Sequence, residues 1–94
     1  MKLVQPTDFD VLSVLADGRR NTAANIACHI DKNRAYINTR LPILADYGLI
    51  ERVGPAPNSG LYEITARGEA AVEYREVYGE VDDFAVVIDD AVNA

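Results

Sequence analysis

Three features of the sequence predict an α+β, mainly α domain. Two helical patterns, at residues 22–30 and 34–47, are separated by the polar break "DKN". Two β-prone runs, "LIERV" and "LYEIT", are joined by "GPAPNSG", whose glycines and prolines suit a turn and forbid a continuing helix. A further helical pattern, "TARGEAAVEYREVYG", follows the second run directly. With a helix at the start of the chain, the order becomes three helices, a hairpin and a further C-terminal helix. That is the plan of a winged helix-turn-helix.

Each element has a local reason. In "TDFDVLSVLADG", Thr7 or Asp8 is the expected N-cap, Phe9, Leu12, Leu15 and Ala16 share one face, and Gly18 ends the helix. Thr22 is the expected cap of a short second helix that turns Ile26, Ala27 and Ile30 inward. Asn33 caps the third, from Arg34 to about Tyr47, with Ile37, Leu41 and Leu44 as its buried seam and Gly48 as its stop. Pro42 falls on the outward side of that helix and is expected to tilt it, leaving the Asn38 carbonyl without its helical partner. The fourth helix places Ala66, Ala70, Tyr74 and Val77 or Tyr78 on one side. Residues 1–79 are read as the domain and 80–94 as an acidic tail. The run "FAVVI" within that tail is too short to distinguish strand from helix, and is expected to fold onto the domain or a second subunit.

Composition narrows the function classes. Ninety-four residues, 49% of them hydrophobic, suffice for one compact domain, with a partner subunit expected. The single cysteine, Cys28, excludes an internal disulfide and the multi-cysteine metal patterns, and fits a reducing cytoplasm. No apolar run approaches the ~20 residues of a membrane helix, and the start of the chain lacks the pattern of a signal peptide. His29 is the only histidine, and with Cys28 expected to be packed and His29 partly exposed, the two do not form a nucleophile or metal pair. An enzyme reading lacks parts, and no cofactor or metal is expected.

The net charge is −6, but it is unevenly spread. Residues 18–58 hold six cations (Arg19, Arg20, Lys32, Arg34, Arg40 and Arg52) against three anions, a balance of +3. Residues 69–94 hold eight anions against Arg75 alone, a balance of −7. A polyanion is attracted by the first segment and repelled by the second.

The outward side of the third helix is equipped for such a polyanion. With the seam pointing inward, Ala35 and Thr39 point outward, flanked by Arg34, Tyr36, Asn38, Arg40 and Ile43. Arginine pairs bidentately with guanine and asparagine with adenine, while Ala35 and the Thr39 methyl suit thymine methyls. Tyr36 suits a phosphate or sugar. A merely solvated face usually carries Glu and Lys pairs, whereas the helix after Asn33 has Asp46 as its one acid. The hairpin adds Arg52 at its base and Asn58 and Ser59 at its tip. Thr22 and Asn33, at the starts of the second and third helices, complete the candidate DNA-binding set.

The block "RLPILADYGLIERVG", followed by a short Gly/Pro/Asn/Ser loop and "LYEIT", resembles winged-helix proteins of halophilic archaea typified by the repressor of the halobacterial phage phi-H. The resemblance covers about residues 7–75. It implies a sequence-specific transcription regulator, commonly dimeric, that binds double-stranded DNA, with Arg34, Tyr36, Asn38, Thr39 and Arg40 in recognition-helix positions. It also makes the acidic tail look like an adaptation to salt. Neither the operator nor a small-molecule effector follows from it. The alternative is a winged helix used as a protein-interaction module, because a fold alone does not fix function.

Overall fold

The computed structural model describes residues 1–54 and 60–94. Helix α1 (Thr7–Leu15) leads into a two-residue strand β1 (Asn21–Thr22), then α2 (Ala23–Ile30) and α3 (Arg34–Asp46). Strands β2 (Ile50–Val53) and β3 (Leu61–Ile64) follow, then α4 (Ala66–Glu73), a 3₁₀ turn (Arg75–Val77) and α5 (Phe84–Asn93). The architecture is a winged helix-turn-helix, as the sequence predicts.

The core lies where the first three helices converge on the sheet. Phe9, Val11, Leu12, Leu15, Ile26, Ile37, Leu41, Leu44, Leu49 and Ile50 are all at most 1% exposed. Burying each large side chain of this kind contributes roughly 1.5–3 kcal/mol. The predicted seam of α3 is therefore the buried one, and α3 runs unbroken through Pro42, which lies on its exposed side.

Turn chemistry sets the angle between α2 and α3. Asp31 closes α2 in the left-handed region, at φ 55°, and Lys32 N–H reaches back to Ala27 O at 3.0 Å. Aspartate tolerates this conformation better than most side chains. At the far end of α3, Gly48 takes φ 77°, Gly48 N–H bonds Ala45 O, and Leu49 N–H bonds Leu44 O at 3.1 Å. The chain is thereby turned directly into β2, with Leu49 dropped into the core.

The sheet has one more strand than the sequence suggests. Its order is β1-β3-β2, all antiparallel, with Asn21 opposite Tyr62, and Arg52 also opposite Tyr62 on the other side of β3. A two-residue strand leaves no alternation to detect. Thr22 both pairs with Leu61 and caps α2, its side chain accepting from Asn25 N–H at 3.2 Å.

Several local expectations are corrected. Neither Thr7 nor Asp8 caps α1: the cap position is Pro6, without a side-chain bond, and both Thr7 and Asp8 are buried. Asp8 instead serves a long-range partner described below. Cys28 is exposed, because α2 buries Ala23, Ile26 and Ala27 and so turns Cys28 and His29 outward. The fourth helix ends at Glu73, and it buries Gly68, Ala70 and Ala71 in place of Ala66 and Tyr74. Gly68 decides that orientation, since a Cβ there would run into the backbone oxygen of Leu49 and the side chain of Ile64. The 3₁₀ turn then swings Tyr78 against Phe9 and Phe84, three rings packed edge to face with centroids 5.1–6.0 Å apart.

The tail is a helix. Asp83 caps α5 by accepting from Ala85 and Val86 N–H, and Phe84 and Ile88, one turn apart, enter the core. Arg67 of α4 pairs with Asp89 of α5 and also donates to Tyr47 O at 3.2 Å. That one guanidinium ties α5 to the C-terminal end of α3.

Helix propensity alone favours alanine over glycine by about 1 kcal/mol, so Gly68→Ala isolates the contact with Leu49. We expect a net loss of ~1–3 kcal/mol from overpacking, measured by urea denaturation. Ile88→Ala should cost ~2–5 kcal/mol in the same assay; an unchanged midpoint would mean that α5 contributes nothing to the core.

Candidate nucleic-acid interface

Helix α3 presents three parallel rows along its exposed side, because residues four apart stack on one face. Ala35 and Thr39 form the central row, and both are exposed. Arg34 and Asn38 form the row toward the hairpin, and Tyr36 and Arg40 the row toward α1. The start of the helix is fixed by Asn33, whose Oδ1 accepts from Ala35 N–H at 2.8 Å and Tyr36 N–H at 3.3 Å. Such a cap contributes about 0.5–2 kcal/mol and leaves the Asn33 amide group as its remaining polar function.

The two flanking rows differ in what holds them. Arg40, a candidate base contact in the sequence, turns toward α1. Its Nε donates to Asp8 Oδ1 at 3.0 Å and its Nη2 to Asp8 Oδ2 at 2.7 Å. Asp8 is fully buried, while the Arg40 side chain keeps 14% exposure. Hydrogen bonding to Asp8 holds the Arg40 guanidinium above its ordinary pKa, with burial opposing and the carboxylate charge reinforcing the rise. The same carboxylate accepts from Val4 N–H at 2.7 Å, so one buried group joins α3, α1 and the N-terminal segment. Arg40 is thus committed to orienting α3, and the exposed set is reduced to Arg34, Ala35, Tyr36, Asn38 and Thr39.

Thr39 is also partly committed. Its hydroxyl donates to Tyr36 O at 2.6 Å. With the proton used internally, the side chain offers its methyl group and its oxygen lone pairs outward. Tyr36 is 39% exposed, one of few large apolar surfaces left in contact with water. Thr22 is half-buried and accepts from Asn25 N–H.

On the hairpin side, Arg52 lies at the base of the wing, across an open cleft of about 200 Å³ from Asn38. Its Nη2 donates to Tyr62 Oη at 2.9 Å, and its guanidinium carbon lies 5.5 Å from the centre of the Tyr62 ring. Asn58 and Ser59 lie outside the described residues. The sequence reading missed Asp8 and Tyr62. Asp8 is 32 residues from its partner, with no spacing to betray it. Tyr62 becomes legible once the hairpin register is fixed, since it stands directly opposite Arg52.

Charge pairing separates the arginines into two groups. Arg19, Arg20, Arg40, Arg67 and Arg75 each have a carboxylate, from Asp17, Glu63, Asp8, Asp89 and Asp10 respectively. Among the described residues, Arg34 and Arg52 have none; Arg52 lines the cleft between α3 and the hairpin, and Arg34 is exposed one turn before Asn38, which lines its other wall. No group of three or more His, Cys, Asp or Glu side chains with metal-site geometry occurs among the described residues, and no helix there is long and apolar enough to cross a membrane.

The sequence matches no family model and no curated protein. Two solved structures share its fold. The oxidised form of MarR from E. coli superposes with a TM-score of 0.63 at 20% identity, covering 95% of this chain and 72% of that one. A mutant of ZitR from Lactococcus lactis gives a TM-score of 0.63 at 21% identity, covering 99% of this chain and 73% of that one. Likeness at this level shows the winged-helix fold.

Breaking a buried pair strands a charge, so Asp8→Asn should cost about 3–5 kcal/mol in denaturant unfolding. Combined with Arg40→Met it should cost less than the two single changes added, by roughly 1–3 kcal/mol of coupling. Strict additivity would show that the two side chains act independently.

Proposed function

We propose that the chain is a sequence-specific double-stranded-DNA-binding transcription regulator, a repressor acting as a homodimer in the cytoplasm. The observation that carries this reading is the pairing pattern of the arginines. In a chain of net charge −6, five arginines have a carboxylate within 4 Å, and among the described residues Arg34 and Arg52, which flank the outward face of α3, have none. Cations left without a carboxylate partner keep this face locally positive within an acidic chain, which suits a polyanionic partner.

In this reading α3 enters the major groove by its N-terminal half. Arg34 and Asn38 approach base edges, the Ala35 and Thr39 methyls approach thymine, and Tyr36 meets the backbone. The hairpin braces the adjacent strand. An occupied operator then excludes the transcription machinery by bulk. The resemblance to the phage phi-H repressor group supports the repressor role. It also supports work in high salt, where a Debye length of about 3 Å at 1 M leaves short-range contacts to carry binding. For the dimer we favour the C-terminal elements, where Tyr74, Val86 and Val92 are exposed at 37%, 52% and 41%. A two-fold pair would read half-sites one helical turn apart, about 34 Å.

The rival reading, a protein-interaction module, is favoured by the overall acidity. Selection from a random duplex pool in low and in molar potassium chloride separates the two: an inverted repeat enriched in both supports the regulator, and no enrichment in either favours the interaction module. Arg34→Ala should relax discrimination at one base position by about 1–3 kcal/mol with folding intact. Light scattering should report a dimer that dissociates in Val86→Lys with Val92→Lys; a dimer unaffected by that change would move the interface elsewhere.

A further inference from the structure

Resting on the DNA-binding reading, we propose that Arg52 and Tyr62 form a seat for one phosphodiester of the DNA backbone, in the cleft between α3 and the hairpin. The cleft is lined by Asn38, Arg52, Gly60 and Tyr62. Its polar groups are donors or are equipped to donate. Arg52 keeps most of its five N–H groups after the single bond to Tyr62. The Tyr62 phenol accepts that bond through oxygen, which leaves its own proton to give. The Asn38 amide stands on the opposite wall.

The arrangement is preorganised. Arg52 and Tyr62 are directly opposed residues of β2 and β3 and therefore project on the same side of the sheet. Tyr62 is only 5% exposed, so its ring is a fixed platform that holds the guanidinium both by its hydroxyl and along its ring. A long side chain that is ordered before binding loses less entropy on docking an anion. The hairpin carboxylates are arranged not to compete. Glu51 and Glu63 are the next opposed pair, which alternation places on the other side of the sheet, and Glu63 is occupied by Arg20 at 3.3 Å.

A phosphate in this seat would be gripped between the recognition helix and the wing base, setting how far α3 enters the groove. The contact carries no sequence information and should contribute equally on every sequence. Tyr62 is accordingly assigned a direct role in binding, which the pattern of the sequence does not indicate.

The test measures binding of the full chain to the selected duplex and to an unrelated duplex, across roughly 50 to 200 mM potassium chloride. The proposal expects Arg52→Gln to flatten the log–log salt dependence by about one unit on both duplexes, leaving their affinity ratio unchanged. Arg52→Lys should keep the slope and lose part of the affinity. Tyr62→Phe should weaken both duplexes ~3- to 10-fold without altering the slope. Circular dichroism melting of each variant accompanies the titrations. An unaltered slope in a folded Arg52→Gln variant overturns the seat while leaving DNA binding in place. A changed ratio between duplexes overturns it too, by making Arg52 a base reader. Failure of the unaltered chain to bind either duplex overturns the DNA reading itself, and the seat with it.

Discussion

The orientation of α3 depends on one buried carboxylate. Asp8 is fully buried and yet bonds Arg40 through both oxygens, while also accepting the Val4 N–H. Apolar contacts in the core exclude water but are tolerant of sliding and rotation. A bidentate pair is directional, and in a dry site its geometry is enforced by the penalty for breaking it. With Ile37, Leu41 and Leu44 defining which side of α3 is buried and Arg40 fixing its rotation, the row Ala35–Thr39 is aimed outward as a consequence. The same pair takes a positive charge off the exposed face, which concentrates the arginines without a carboxylate, among the described residues, at Arg34 and Arg52.

That concentration gives the uneven charge of the chain a structural meaning. The acidic C-terminal third becomes α4 and α5, where Asp89 neutralises Arg67 and Asp83 caps a helix. The more basic segment becomes α2, α3 and the hairpin. Segregation along the sequence is thus carried into different elements of the fold. The acidity of the whole does not describe the face that α3 presents.

Much of the fold was legible because its signals are local. The caps Thr22 and Asn33, the stop at Gly48, the seam Ile37–Leu41–Leu44 and the two hairpin strands each lie within a few residues of their cause. What was not legible depends on distant partners. Asp8 looks like a cap because aspartate near a helix start usually is one, and its partner at residue 40 leaves no periodic trace. The orientation of α4 is set by the close approach of Gly68 to Leu49, which a sequence pattern of alanines and tyrosines does not encode. Of the candidate site, the exposed row of α3 was readable from angular position alone. The division of labour between Arg34 and Arg40 was not, since both lie at the edges of the same strip and only α1 distinguishes them.

The bonds of Arg67 bear on mechanics. Helix α3, about 20 Å long at 1.5 Å per residue, is pinned near its middle by Arg40 and gripped at its far end where Arg67 holds the Tyr47 carbonyl. Beside those two holds, the buried seam Ile37, Leu41 and Leu44 keeps the helix on the core. Asp89, Arg67 and the Tyr47 carbonyl make one continuous polar chain from α5 to the end of α3, so where the C-terminal helix sits and where α3 ends are set by a single side chain.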